Sequence, residues 1–184
     1  MSTASGRSRR AFVLGISGLG VGLALEACGG GAVAAPSPYS GELRTAALAV
    51  ALENQAVSAY QAIDAALRAG KLGPAVPALA AFVQTALAHH VQHAATWNAI
   101  LRAAHKPAVT GIPLSGNAQV MSTVGSASDL GAAVAAVQRL EIQAAQTYTA
   151  AIESLTGLGS TVTAAATIAP VEAMHAAALG YLFG

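Results

Sequence analysis

Residues 53–60 read Glu-Asn-Gln-Ala-Val-Ser-Ala-Tyr, and residues 141–148 read Glu-Ile-Gln-Ala-Ala-Gln-Thr-Tyr. The two stretches share Glu, Gln and Tyr at the same offsets, and Leu67 and Leu155 extend the correspondence. Further along each half, a His-Ala-Ala triplet follows, beginning at His93 in one and at His175 in the other. Because alanine matches by chance in such a chain, the shared polar residues carry the argument. They indicate an internal duplication.

The segments around both stretches have helical composition. The chain is 54% hydrophobic but only 4% aromatic, and small apolar residues favour close-packed helices over sheets. Caps and Gly or Pro breakers predict four helices, at about residues 40–69, 74–104, 129–157 and 160–184. Short connections join the first two and the last two, which predicts two antiparallel hairpins. A longer polar connection, about residues 106–127, joins the hairpins. The expected fold is therefore all-α, an antiparallel four-helix bundle with one long crossover.

Several ionisable residues fall on the apolar stripes of these helices. Apolar side chains recur at steps of three or four residues, so the residues on each stripe should face the bundle interior. The ionisable residues on the four stripes are Glu53, His90 or its competitor His89, His93, Glu141, Glu172 and His175. A buried carboxylate without a partner costs several kcal/mol, and no Lys or Arg shares the stripes. Three carboxylates converging with two to four imidazoles suit an ion of Fe, Mn or Zn.

The pattern resembles the ferritin-like superfamily of di-metal carboxylate proteins. In that family two helices each contribute one Glu, and the other two each contribute a Glu-x-x-His. By position, Glu53 and Glu141 match the single Glu residues, and Glu172-Ala-Met-His175 matches one complete Glu-x-x-His. The resemblance covers about residues 40–184. It implies a ferritin-like four-helix bundle that binds one or two ions of Fe or Mn.

The second Glu-x-x-His departs from the family pattern. Its His matches His93, but its Glu falls on His90. In the family this Glu usually bridges two metal ions, and an imidazole bridges poorly. A mononuclear site, an asymmetric pair and a lost site all stay open. The residues implied as metal ligands are Glu53, His90, His93, Glu141, Glu172 and His175.

Three functions are compatible with this pattern. The first is a metal-binding protein, with oxidase-like or peroxidase-like chemistry left open and no catalytic residue identified. The second is a metal-free bundle that serves as a binding or structural module of the cell envelope, and His90 in place of Glu supports it. The third, a cage-forming iron store, fits least well because a lipid-tethered chain does not readily close into a soluble shell. A homodimer is also left open.

Residues 1–35 are expected to be an export signal. Arg9 and Arg10, followed at residue 12 by Phe, resemble the twin-arginine motif. A weakly hydrophobic, Gly-rich stretch follows at residues 11–27, as in a signal peptide. The sequence therefore predicts that the chain uses the twin-arginine export machinery and works outside the cytoplasm.

The end of this signal offers two processing sites. Leu-Glu-Ala-Cys at residues 25–28 resembles a lipobox, in which Cys28 would carry a lipid and anchor the chain to a membrane. The rival is ordinary cleavage after Ala34, which would give a secreted or periplasmic protein. Residues 36–41 are expected to form a flexible tether, and residues 42–184 the folded domain.

The charge balance of this domain excludes one class of partner. After the export signal the chain has six basic and seven acidic residues. Nucleic-acid-binding domains carry a basic patch or stripe, and this one has no basic excess. No nucleic-acid partner is expected.

Overall fold

The computed structural model describes residues 37–183, which form five α-helices. The helices are α1 (Glu42–Arg68), α2 (Pro77–Ala103), α3 (Asn117–Gly125), α4 (Leu130–Ser154) and α5 (Gly159–Phe183). The four long helices are those predicted from the sequence, with their ends displaced by a few residues. The expected export signal, with Arg9, Arg10 and Cys28, lies outside the described residues, as does the first residue of the expected tether.

The long helices pair as two hairpins. α1 packs mainly against α2 and α4 against α5, while α1–α4 and α2–α5 contacts join the hairpins. The first hairpin turns sharply because Gly70 adopts a φ of 67° directly after α1. Its N–H bonds to the carbonyl of Leu67, and the N–H of Lys71 bonds to that of Ala66, which is a Schellman motif. The predicted all-α antiparallel four-helix bundle is confirmed.

The long crossover contains a helix that the sequence analysis did not predict. α3 packs against α1 and α4, and its Val124 is buried in the core. Asn117, at its start, accepts a hydrogen bond from Gln55 Nε2 at 3.0 Å. A nine-residue helix is marginal on its own. Its stability therefore comes from these tertiary contacts, which a local pattern does not encode.

Two apolar clusters fill the bundle, one on each side of a polar interval. The first includes Val50, Trp97, Tyr148 and Ile168. The second includes Tyr60, Val83, Val137 and Leu179. Each long helix passes from one cluster to the other through a short segment that carries ionisable side chains. We call these side chains the polar layer, which consists of Glu53, His90, His93, Glu141, Glu172 and His175.

The turn between α4 and α5 is fastened to the start of α1 by one carboxylate. Glu42 accepts hydrogen bonds from the backbone N–H groups of Thr156 and Leu158, each at 2.8 Å, and from Thr161 Oγ1 at 2.7 Å. The bond from Thr161 and those from the backbone lower the pKa of Glu42 to about 2. These hydrogen bonds of Glu42 hold the second hairpin against the first, and so help to set the spacing across the polar layer.

Among the described helices, α5 alone has the length and apolar composition that a membrane crossing requires. In the bundle it serves as a core helix. Ala165 and Ile168 are buried in the first apolar cluster, and Leu179 is buried in the second. Glu172 and His175, between them, are also buried. Its apolar character therefore matches the interior position that it occupies.

Candidate metal centre

The polar layer receives side chains from all four long helices. Five of its members are no more than 2% exposed, namely Glu53, His90, Glu141, Glu172 and His175. His93 is 12% exposed. Ion-pair contacts between these carboxylates and Lys or Arg are not found among residues 37–183, where histidines are their only cationic neighbours. The layer thus balances three buried carboxylates against imidazoles alone.

His90 lies at the centre of the layer, between two carboxylates. Its Nδ1 is 2.8 Å from Glu53 Oε2, and its Nε2 is 3.2 Å from Glu141 Oε1. An ionised carboxylate can only accept hydrogen bonds, so each ring nitrogen must donate one. Burial opposes the charged ring, but the hydrogen bonds to Glu141 and Glu53 outweigh it and raise the pKa of His90 to about 10. His90 therefore holds the two carboxylates together as an imidazolium.

Glu172 lies between the other two imidazoles and directs one oxygen toward each. Its Oε1 is 2.8 Å from His93 Nδ1, and its Oε2 is 3.5 Å from His175 Nδ1. His175 Nδ1 is also 3.4 Å from Glu141 Oε2. The atoms of these pairs are close but are not aligned for hydrogen bonding. All of them are buried without a hydrogen-bond partner. A hydrogen bond requires alignment as well as a short distance, so these close pairs are ion-pair contacts and not hydrogen bonds.

Two tyrosines orient the carboxylates from the opposite hairpins. The Tyr60 hydroxyl on α1 donates to Glu141 on α4, and the Tyr148 hydroxyl on α4 donates to Glu53 on α1. Burial and the neighbouring carboxylate raise the pKa of both hydroxyls, so both remain protonated donors. The sequence repeat contained this signal, since each Tyr follows its Glu at the same offset. Which Glu each would contact depends on how the hairpins pack.

His89 is a contributor that sequence reasoning weighed only as a competitor of His90. Its Nδ1 is 2.9 Å from His175 Nε2, and the two rings are stacked with an interplanar angle of 11°. His89 is partly exposed, whereas His175 is buried. It therefore supports the outer nitrogen of His175 while the inner nitrogen faces Glu141 and Glu172.

Comparison with known proteins identifies the family. A family model described as a ferritin-like domain matches residues 69–184, more than half of the chain. This chain belongs to the ferritin-like domain family. The matched range begins after α1, so the ferritin-like match includes five members of the polar layer and leaves Glu53 outside it. Neither a curated protein nor a solved structure matches the chain.

The buried atoms of this ferritin-like layer fit a metal ion. Five ligand-type atoms lack a hydrogen-bond partner among the described residues, namely His93 Nδ1, Glu141 Oε2, Glu172 Oε1 and Oε2, and His175 Nδ1. Such groups are costly in an interior unless something binds them. Two ligands on one ion, each about 2.1 Å from it, lie roughly 3.0–3.4 Å apart. The contacts among these atoms are 2.8, 3.4 and 3.5 Å, which is close to that range.

Two overlapping sets of residues have this capacity. One consists of Glu53, His90, His93 and Glu172, and the other of His90, Glu141, Glu172 and His175. Within each set the ligand atoms all lie within 4.8 Å of one another. The structure thus brings together all six residues that the sequence predicts as ligands, in a buried cluster that could hold a metal ion. Their role as ligands stays a prediction.

A narrow cleft between α1 and α4 borders one side of the layer. Its lining includes Glu53 and His90, each 1% exposed. Its walls include Gln55 and Gln143, which occupy corresponding positions of the duplication. Because both polar-layer residues in its lining are buried, the cleft borders the ferritin-like layer without exposing it.

The stability of the metal-free chain should fall as the pH rises from 7 to 10. Burial alone would lower the pKa of His90 and His93, but contacts with the carboxylates raise them to about 10 and about 9. A group whose pKa is raised on folding stabilises fully below its unfolded pKa of about 6.5, and this stabilisation is lost through the folded value. Each such histidine should cost roughly 1.4 kcal/mol per pH unit in that window. Urea melts with a chelator at several pH values measure this, and a flat profile from pH 7 to 9 would contradict the assigned contacts.

Proposed function

We propose that this chain is an exported ferritin-like protein that binds Fe or Mn through the polar layer. The observation that carries the proposal is a group of buried ligand-type atoms without hydrogen-bond partners, which belong to His93, Glu141, Glu172 and His175. Mixed carboxylate and imidazole donors suit these ions. Because the ligand atoms of each candidate set lie within 4.8 Å of one another, a single ion could bind several of them at once.

The chain's own residues prepare the layer for such an ion. A bound Fe or Mn ion would supply one-electron redox chemistry. Tyr60 and Tyr148 fix the carboxylates of Glu141 and Glu53, so little reorganisation is needed when an ion binds. A metal-dependent oxidoreductase activity is therefore compatible with the layer.

The proposed location is the cell envelope. Its support is the sequence alone, from Arg9 and Arg10 to the lipobox at Cys28 or the cleavage site at Ala34. The partners proposed are the twin-arginine export machinery and, if Cys28 carries lipid, the membrane. Twin-arginine export transports folded proteins, which would suit a metal site that is filled before export.

The test is elemental analysis of the chain purified, without added metal, from the envelope fraction of cells that naturally make it. We expect near-stoichiometric Fe or Mn. The variants Glu172→Gln and His175→Asn should each remove most of that metal. Matched controls are Glu153→Gln, at an exposed Glu of α4, and His105→Asn, at an exposed His in the crossover whose φ is 56°. A folded wild-type chain without metal would overturn the proposal.

The second candidate is a metal-free ferritin-like bundle that acts as a binding or structural module of the envelope. One observation favours it. The two hydrogen bonds of His90 already join Glu53 to Glu141 without a metal. On this alternative, a chelator leaves the melting curve of the purified chain unchanged. A large downward shift after chelation would exclude it.

A further inference from the structure

The duplication divides the polar layer into two half-sites that share Glu172. Half-site A consists of Glu53, His93 and Oε1 of Glu172, and half-site B consists of Glu141, His175 and Oε2 of Glu172. His93 and His175 are corresponding residues of the repeat. One residue breaks the equivalence, because Glu172 corresponds to His90 in the other half.

In half-site A, His93 Nδ1 and Glu172 Oε1 are unpartnered, but the Glu53 carboxylate is already engaged. Glu53 Oε1 accepts a hydrogen bond from Tyr148, and Glu53 Oε2 accepts one from His90 at 2.8 Å. Both oxygens therefore have protein partners. An ion in half-site A would have to displace the His90 N–H from the carboxylate of Glu53, a residue that is 1% exposed.

Half-site B has three potential metal-ligand atoms that make no hydrogen bond. Glu141 Oε2, Glu172 Oε2 and His175 Nδ1 are all buried and without a hydrogen-bond partner, and His175 Nδ1 lies 3.4 and 3.5 Å from the two oxygens. The outer nitrogen of His175 is held by His89 at 2.9 Å. A proton on that outer nitrogen leaves the Nδ1 lone pair free to bind an ion, which is the usual support for a histidine ligand.

We infer that the chain binds one metal ion, in half-site B through Glu141, Glu172 and His175, while the His90 ring takes the place of a second ion. This inference rests on the proposed function and makes it more specific. His90 joins Glu53 to Glu141 by hydrogen bonds, as a second cation between these carboxylates would by coordination. A carboxylate in place of the His90 ring should therefore allow a second ion to bind in half-site A.

Titration of the chelator-treated wild-type chain with Mn²⁺, followed by desalting and elemental analysis, should give one ion per chain. The variant His90→Glu, which completes the second Glu-x-x-His, should give two. In the wild type, electron paramagnetic resonance should show the hyperfine pattern of an isolated Mn²⁺ ion rather than a coupled pair. This spectrum keeps the inference testable if His90→Glu does not fold.

Corresponding histidines of the two halves provide the matched variants. His175→Asn should weaken Mn²⁺ binding by about 100-fold or more, whereas His93→Asn should change it by less than about 10-fold. Circular dichroism melts would show that both variants fold. Equal losses in the two variants would overturn the assignment to half-site B.

The outcomes separate this inference from the proposed function. A folded wild-type chain that binds no Mn²⁺ or Fe²⁺ overturns both. A wild-type chain that binds two ions, or that gives a coupled Mn²⁺ spectrum, leaves the proposed function standing and overturns the inference. One ion per chain, lost with His175 and kept without His93, supports both.

Discussion

Replacing His90 with Leu should lower the free energy of unfolding of the metal-free chain by about 3–5 kcal/mol. The variant loses both N–H donors that lie between Glu53 and Glu141. Each of these buried carboxylates then keeps a single hydrogen bond, from a tyrosine, and one histidine at 3.4–3.7 Å. Removal of one partner from a buried ion pair is costly because the remaining charge is uncompensated. For a chain of this size the melting temperature should fall by roughly 6–20 °C. Circular dichroism melts at pH 7 with a chelator measure the effect.

A pH series separates this electrostatic loss from a simple packing defect. In the variant, loss of the His90 ring should raise the pKa of Glu53 and Glu141 above their wild-type values, because only the more distant imidazoles of His93 and His175 then oppose the effect of burial. Mild acid should therefore neutralise the two carboxylates more readily than in the wild type. The difference in melting temperature between the variant and the wild type should then be smaller at pH 5 than at pH 7. The control His105→Asn, at an exposed position, should stay within about 0.5 kcal/mol of wild type. A His90→Leu chain that melts with the wild type would show that the ring does not join the two carboxylates.

The long helices and their inward faces follow from local patterns. Asp129 caps α4, since its side chain accepts a hydrogen bond from the N–H of Ala132 at the start of that helix, as Asp commonly does at this position. The steps of three and four residues placed Glu53, Glu141 and Glu172 on the apolar stripes, and all three are buried. Such periodicity specifies a helical face because the face is set by residues within a few turns.

Features that depend on how the hairpins pack were beyond the sequence. α3 forms because Val124 enters the core and Asn117 bonds to Gln55, which is distant in sequence. The crossed tyrosine contacts require the spacing and rotation of α1 relative to α4. His89 lies next to His175 because α2 and α5 are in contact, and the helical period alone did not decide between His89 and His90 as the inward residue.

The role of His90 follows from the sequence and the structure together. The sequence revealed that a histidine occupies the Glu position of the second Glu-x-x-His, and it left three outcomes open. The structure adds that both ring nitrogens already have carboxylate partners, at 2.8 and 3.2 Å. The two halves of the layer are thus chemically unequal although their backbones are related by the repeat. This inequality makes a one-ion site the stronger expectation.

Adding Mn²⁺, or Fe²⁺ without oxygen, to the metal-free chain should raise its melting temperature by about 5–11 °C. A ligand at 100 times its dissociation constant that binds only the folded state adds about 2.7 kcal/mol. The conversion to temperature uses the usual sensitivity of a chain of this length, about 2–4 °C per kcal/mol. The physical reason is that the ion satisfies the unpartnered atoms of Glu141, Glu172 and His175. Calorimetry over a range of metal concentrations should show a continuing rise with the logarithm of concentration.

Two controls give this shift its meaning. Mg²⁺ prefers oxygen ligands in octahedral geometry and should shift the melt much less, because an imidazole is one of the free donors. The variant Glu172→Gln should fold but lose most of the response to Mn²⁺, since Glu172 contributes an oxygen to both half-sites. An equal shift with Mg²⁺ would indicate binding to surface carboxylates. If none of these ions shifts the melt, the His90 hydrogen bonds suffice for the layer, and the metal-free bundle is the better account of this chain.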